Sequence, residues 1–226
     1  MSIAFFDLDK TLLSVNSGSL WFRSEFKRGY INWNQALQAF TWLSLYHLGF
    51  SRLEQSLLTT IAQLEGIRES DVVQRTRAFY EREVRHQFRP LARGIVERHR
   101  ADGDALVLLT TSSNYVAEIV QEALGMDHIL CSRFETDAQG RYTGRPLGPL
   151  CFGPGKLTLG RAYAESQGVP LSSCSFYTDS ASDLPMMEAV GRPVAVHPDR
   201  RLRRIAKQRR WEIADWGDTG VRLEAA

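Results

Sequence analysis

The 226-residue sequence predicts an α/β fold: a parallel β-sheet covered by helices on both faces, with an α-helical block inserted near its start. Three observations predict it. Ile3-Ala4-Phe5-Phe6 and Ala105-Leu106-Val107-Leu108-Leu109 are wholly apolar and of strand length, the pattern of strands buried on both faces. From residue 91 onward, segments of strand and helix length alternate, the order that builds a parallel sheet. Between residues 14 and 88 prolines are absent, and Trp21, Phe22, Phe26, Leu37, Phe40, Leu43, Leu57, Leu58 and Ile61 recur at helical spacing.

In chain order, the run at 3–6 is the first strand and stops at Asp7-Leu8-Asp9-Lys10-Thr11. The helical block follows, continued by Val72, Val73, Phe79 and Tyr80, with Gly29, Gly49 and Gly66 as breaks between helices. Pro90 marks its end. A helix is expected over 91–100, then the strand at 105–109, closing on Thr110-Thr111-Ser112. A helix over 115–124 ends at Gly125, and 129–131 is a short strand. Residues 133–144 read as a hairpin, with turn chemistry at Asp137-Ala138-Gln139-Gly140. A helix over 155–167, a strand at 175–177 ending in Thr178-Asp179, a helix over 184–190 and a strand at 193–196, expected to be the last of the core, complete the pattern. Trp211 and Trp216 are expected to pack the final segment onto the core.

At 43% hydrophobic and 24% charged residues, the chain can build a core without covalent or metal staples. Cys131, Cys151 and Cys174 are odd in number and show no CxxC or Cys/His spacing, which argues against a disulfide framework or zinc site and fits a reducing compartment. The five histidines are scattered without ligand spacing and are read as incidental. The start has no basic region before its apolar run, and the long apolar stretch at 36–50 carries Gln38, Ser44 and His47, short of a membrane span. A cytoplasmic location is the expectation. The net charge of +2 gives no reason to expect a nucleic-acid partner. The basic run Arg200, Arg201, Arg203, Arg204, Lys207, Arg209 and Arg210 is read as a solvated helix face, with contact to phosphate-rich partners as the alternative.

Three expected strands end in polar residues, and in open α/β sheets ligands bind beyond the carboxyl ends of the strands. Asp7 and Asp9, two apart in extended chain, point the same way and repel each other unless a cation or proton intervenes. Asp179 and Asp183 form a second acidic pair at another strand end. Such hard oxygen donors suit Mg2+. Thr110 offers a hydroxyl to a phosphoryl group, and Lys156, preceded by Gly153-Pro154-Gly155 at a helix head, offers a fixed positive charge. An Asp can attack phosphorus, and a second carboxylate can protonate the leaving group and then activate water. Each piece alone also fits a helix cap or a turn; their order along the chain is the stronger signal.

That order resembles the haloacid dehalogenase superfamily of hydrolases, in the subfamily IB branch similar to phosphoserine phosphatase. Its four motifs are present in order: Asp7-Leu8-Asp9-Lys10-Thr11, Thr110, Lys156, and Asp179-Ser180-Ala181-Ser182-Asp183. The resemblance covers essentially the whole chain. It implies a Rossmann-like parallel-sheet core over 1–14 and 89–226, with an inserted α-helical (C1-type) cap over 15–88 that opens and closes on the site. It implies a magnesium-dependent phosphatase acting on a small phosphorylated metabolite through an aspartyl-phosphate. Asp7 would be the nucleophile and Asp9 the general acid/base. Asp7, Asp179 and the main-chain carbonyl of Asp9 would hold Mg2+. Thr110 and Lys156 would bind the phosphoryl group, with Lys156 also restraining Asp7. Asp183 would support the metal or its waters, and Thr11 would fix the loop. Transfer of the phosphoryl group to an acceptor other than water, and a non-catalytic phosphate-binding or regulatory role, are the alternatives. Oligomeric state is not legible in the sequence.

The chain departs from phosphoserine phosphatases at two substrate-facing positions. They typically carry a Glu for the substrate ammonium where this chain has Asn16, and a cap Arg for the substrate carboxylate where it aligns Thr60. Asn16 also suits a helix N-cap ahead of Leu20-Trp21-Phe22, and the aromatic residues Trp21, Phe22, Trp33, Phe40 and Trp42 are read as core. Losing both charges leaves an amino-acid head group without partners. Phosphoserine is therefore expected to be a poor substrate, and efficient phosphate release from it at micromolar concentration would contradict that assignment.

Overall fold

A computed structural model of the chain describes residues 2–30, 58–59, 61–218 and 220. Its elements are β1 (Ile3–Phe6), α1 (Ser17–Lys27), α2 (Glu69–Phe79), α3 (Ala92–Ala101), β2 (Ala105–Ser113), α4 (Asn114–Leu124), β3 (His128–Ser132), β4 (Phe134–Thr136), β5 (Tyr142–Pro146), α5 (Pro154–Ser166), β6 (Ser175–Thr178), α6 (Leu184–Ala189), β7 (Arg192–Val196), α7 (Arg200–Arg209) and β8 (Glu212–Ala214). Six strands form one sheet in the order β3-β2-β1-β6-β7-β8, and β4 and β5 form a separate antiparallel hairpin. Every pair in the large sheet is parallel.

The period-two alternation of strand side chains sorts the core into two layers. Ala4 and Phe6 of β1 face one way and pack with Ala92 and Val96 of α3 and Val116, Ala117 and Val120 of α4. Ile3 and Phe5 face the other way and pack with Ala164 of α5, Met186 and Met187 of α6, and Leu202 and Ala206 of α7. From β1 the chain order runs outward in opposite directions, and right-handed crossovers then place the two sets of helices on opposite faces. The reversal leaves a crevice at the carboxyl end of β1, where the loops of β2 and β6 part. The register makes it a shared edge: Phe6 lies beside Leu108 of β2 and Tyr177 of β6.

The expectation that 193–196 is the last core strand is corrected by β8. Glu212–Ala214 pairs in parallel with β7 through Val194 and Glu212. It carries no apolar run because it is a three-residue edge strand with Glu212 and Ile213 exposed. Trp216 beyond it is buried, its ring 5.4 Å from that of Tyr177, and Trp211 packs on the opposite layer. The basic run forms α7, which buries Leu202 and Ala206 and leaves Arg200, Arg201, Arg203, Arg204, Lys207 and Arg209 exposed. Of the histidines, His99 is not incidental. It is buried and bridges Asp104 at 2.6 Å and the Tyr177 hydroxyl at 2.7 Å. Of the expected helical block, residues 14–30, 58–59 and 61–88 are described, with α1, α2 and the turn Tyr80–Val84 among them, whereas Trp33, Leu37, Phe40, Trp42, Leu43, Leu57 and Thr60 lie outside the described residues. Among the described residues no helix is long and apolar enough to cross a membrane.

Phe6 is the hinge pin of the first layer, fully buried and stacked on Tyr177 at 4.9 Å, with His99 edge-on at 5.8 Å. Phe6→Ala is expected to lower stability by about 3–5 kcal/mol, read as a fall in the urea midpoint at unchanged slope.

Candidate active site

Beyond β1 the chain keeps one more ladder bond, from the Asp7 amide to the Tyr177 carbonyl at 2.9 Å, so Asp7 continues the strand into the crevice. The tight turn Leu8–Leu12 follows, with Asp9 extended and Lys10 at φ 57. Leu13 N–H to the Leu8 carbonyl (2.9 Å) and Lys10 N–H to the Val15 carbonyl (3.0 Å) close it. The buried Arg89 guanidinium grips the Lys10 carbonyl through Nε (3.2 Å) and Nη2 (3.0 Å), and the Gly217 carbonyl through Nη1 (2.6 Å). Thr11 is fully buried in this turn, and its hydroxyl has no hydrogen-bond partner among the described residues. Backbone bonds and Arg89 therefore supply the polar restraints that hold the loop.

Lys156 enters from α5. Gly153 at φ 51 and Pro154 at the first helical turn aim the helix at the crevice. A Cβ on Gly155 would sit 1.9 Å from the Leu150 carbonyl oxygen, so only glycine allows the preceding chain to pass this close to the helix head. The Lys156 side chain is 2% exposed and its ammonium lies 2.8 Å from Asp7 Oδ1 and 2.7 Å from Asp183 Oδ2. The Thr178 hydroxyl donates to the same Asp183 oxygen at 2.6 Å. Asp183 thus holds Lys156 in place.

These groups leave a surplus of negative charge. Burial alone would lower the Lys156 pKa, but Asp183 and Asp7 outweigh it and raise it. Burial, aided by Asp183 and Asp9, lifts Asp7 to about 7 against the pull of Lys156. Burial and then Asp7 lift Asp179, 8% exposed, to about 8. Asp179 sits one residue past β6, its carbonyl accepting from the Asp199 amide at 2.8 Å; no hydrogen bond or ion pair reaches its carboxylate among the described residues. Two buried carboxylates that repel each other, one of them unpaired, fit a divalent cation with oxygen preference. Asp7 and Asp179 supply two buried carboxylates, a number that suits magnesium; among the described residues no group of three His, Cys, Asp or Glu side chains is arranged to hold a metal.

Thr110 is buried at the neighbouring strand end; its hydroxyl oxygen accepts from the Ser112 amide at 3.1 Å, and its own proton has no acceptor among the described residues. Asp9 is half-buried and accepts from the Ser17 amide at 2.7 Å and from the Ser112 hydroxyl at 2.9 Å. Asn16 caps α1, its side-chain oxygen accepting from the Ser19 amide at 2.8 Å. The structure thus brings Asp7, Lys156 and Asp183 into direct contact and sets Asp9, Thr110 and Asp179 at the same sheet edge. Thr60 lies outside the described residues.

Sequence reasoning missed Ser17, Ser112, Thr178, Arg89 and Asp199. Ser112 and Thr178 stand inside strand-end strings already singled out. Asp199, which caps α7 at Leu202 N–H (2.7 Å) and accepts from Ala181 N–H (2.8 Å), carried the signal of an acid ahead of a basic helix. Arg89 carried none, because its partners Lys10 and Gly217 are 79 and 128 residues away in sequence.

The family model for haloacid dehalogenase-like hydrolase matches residues 4–188. The "inhibition of morphological differentiation protein" of Streptomyces azureus is 34% identical over 94% of this chain and 78% of that protein. A histidinol-phosphatase of Neisseria meningitidis is 27% identical over 95% of this chain and 99% of its own length. A phosphoserine phosphatase of Mycobacterium tuberculosis is 29% identical over 94% and 70%. Among solved structures, a protein with unknown function from Bordetella pertussis aligns at a TM-score of 0.85 and 29% identity, over 95% of this chain and 98% of that one.

The head of α5 carries a test of this geometry. Gly155→Ala is expected to lose about 1–3 kcal/mol of stability through the forced contact with Leu150. Gly94→Ala, in α3 with open space around it, is expected to gain about 0.4–1 kcal/mol. Chemical denaturation of both variants measures the contrast.

Proposed function

The chain belongs to the haloacid dehalogenase-like hydrolases and is a phosphatase, and from that premise we propose that it hydrolyses a small phosphomonoester, with Mg2+, through an aspartyl-phosphate on Asp7. The observation that carries this reading is the buried Lys156 ammonium on Asp7 Oδ1 (2.8 Å), together with the buried carboxylate of Asp179, which is unpaired among the described residues. Lys156 engages Oδ1, which leaves Oδ2 of Asp7 as the attacking atom.

In the first half-reaction Asp7 Oδ2 bonds to phosphorus as the ester P–O bond breaks, and the departing oxygen takes the proton of Asp9. In the second, Asp9 takes a proton from water, the water oxygen bonds to phosphorus, and the Asp7–phosphorus link breaks to release phosphate. The Thr110 hydroxyl and the Lys156 ammonium donate to the phosphoryl oxygens, aimed where charge builds up in the transition state. Asp183 and Thr178 keep Lys156 aimed there, so no reorganisation accompanies the reaction. Asp7, Asp179 and the Asp9 carbonyl would hold the magnesium ion, which supplies charge neutralisation for the phosphoryl group and for the carboxylates around it. Histidinol phosphate and other small phosphates are the candidate substrates by analogy with the relatives' names.

Magnesium-dependent phosphate release from p-nitrophenyl phosphate is expected from the native chain and is expected to vanish in Asp7→Asn. Beryllium fluoride is expected to inhibit the native chain by standing in for the phosphoryl group on Asp7. Near-native turnover by Asp7→Asn would remove the nucleophile assignment.

A further inference from the structure

The carboxylate of Asp9 is held from two sides. One oxygen accepts from the first backbone N–H of α1, at Ser17 (2.7 Å), and the other accepts from the Ser112 hydroxyl (2.9 Å). The Ser17 and Ser112 hydroxyls are themselves 3.1 Å apart, closing a three-membered polar ring around the acid. Ser17 is 2% exposed, so the N–H that it offers is screened from water.

Local structure explains how Ser112 reaches Asp9. Thr110 of β2 lies beside Cys131 of β3, but the next pairing joins Ser113 to Ser132. Three steps on β2 therefore match one on β3, and the irregularity falls on Thr111 and Ser112. Bulges of this kind re-aim side chains beside active sites. The same irregularity turns the Ser112 amide onto the Thr110 hydroxyl oxygen at 3.1 Å. One residue thereby fixes the hydroxyl that faces the phosphoryl group and the carboxylate that faces the leaving group.

We infer that Ser112 is the positioning residue of the general acid: its hydroxyl sets the direction in which Asp9 presents its proton to the departing oxygen. This rests on the reading of Asp9 as the acid in the first half-reaction. A positioned acid matters in proportion to the basicity of the leaving group. An alkoxide needs the proton as the P–O bond breaks, whereas p-nitrophenolate leaves without one. Loss of the Ser112 hydroxyl should therefore act on one substrate and spare the other, which a merely structural defect would not do.

The test is single-turnover cleavage of the ester bond, with enzyme and magnesium in excess, for p-nitrophenyl phosphate and glycerol 2-phosphate. Release of the alcohol or phenol reports the first half-reaction alone. Ser112→Ala is expected to slow the glycerol ester about 10–100-fold, a part of the ~10²–10⁴-fold that a positioned general acid supplies. The aryl ester is expected to stay within about 3-fold. Ser112→Thr, which keeps the hydroxyl, is expected to restore the glycerol ester. Equal slowing of both esters by Ser112→Ala, or no slowing of either, overturns the inference. Asp9→Ala run alongside separates the two levels. Leaving-group selectivity in Asp9→Ala but not in Ser112→Ala removes the role of Ser112 alone. Its absence in both removes the general-acid reading and this inference with it.

Discussion

A lysine ammonium sealed from water must meet opposite charge, and the contact of Lys156 with Asp7 and Asp183 is the constraint that the rest of the site serves. Leaving such a charge unpaired costs roughly 3–5 kcal/mol, a large share of a domain's stability. Its partners come from opposite ends of the sequence and meet because the strand order sets β1 beside β6. The ammonium comes from a third element, α5, whose head passes close enough only because residue 155 lacks a side chain. Asp183 in turn is anchored by Thr178, the last residue of β6. Sheet topology, a glycine contact and a strand-end hydroxyl converge on one nitrogen.

Lys156 nevertheless cannot balance everything around it. Asp7 and Asp183 already match it two to one, and Asp179 adds a third carboxylate with no donor of its own among the described residues. A fold selected for stability alone would have placed an apolar residue or a second cation there. The raised Asp7 and Asp179 carboxyls measure how far burial and repulsion disfavour their charged forms. Departures from local consistency concentrate at functional sites. Here the departure has a chemical meaning, since added positive charge would relieve it and would also neutralise an incoming phosphoryl group.

The sheet and its flanking helices were legible because burial on both faces leaves strands no polar positions. The run at 105–109 could hardly be anything else. β8 was not legible, because an exposed three-residue edge strand needs no apolar pattern and takes its identity from pairing with β7. The same division holds at the site. Asp7, Asp9, Thr110, Lys156, Asp179 and Asp183 are strand-end or helix-head residues whose type already states their chemistry. The residues that hold them in place were hidden. Ser112 acts through a register irregularity between two strands, and Arg89 through carbonyls supplied by distant segments. A serine or arginine in sequence carries no mark of such contacts. Thr11 is the reverse case: a conspicuous motif hydroxyl, fully buried in the turn, that makes no hydrogen bond among the described residues.

The corner at Asn16 shows how a local requirement narrows what a site can recognise. The side-chain oxygen of Asn16 is committed to the Ser19 amide, one of the unpaired donors at the head of α1. That helix also lends Asp9 its first N–H, so the cap and Asp9 share one helix terminus. The side chain of Asn16 is neutral, a carboxamide whose oxygen already accepts one hydrogen bond. A carboxylate in this position could cap the helix and still attract a cation through its charge; a neutral carboxamide brings no such charge. A substrate ammonium reaching this corner would meet no compensating charge from residue 16, which disfavours a desolvated cation there. On the proposed function, the phosphoryl chemistry would reside in residues drawn from four strand or helix ends of the sheet, while discrimination at Asn16 would reside at the head of α1.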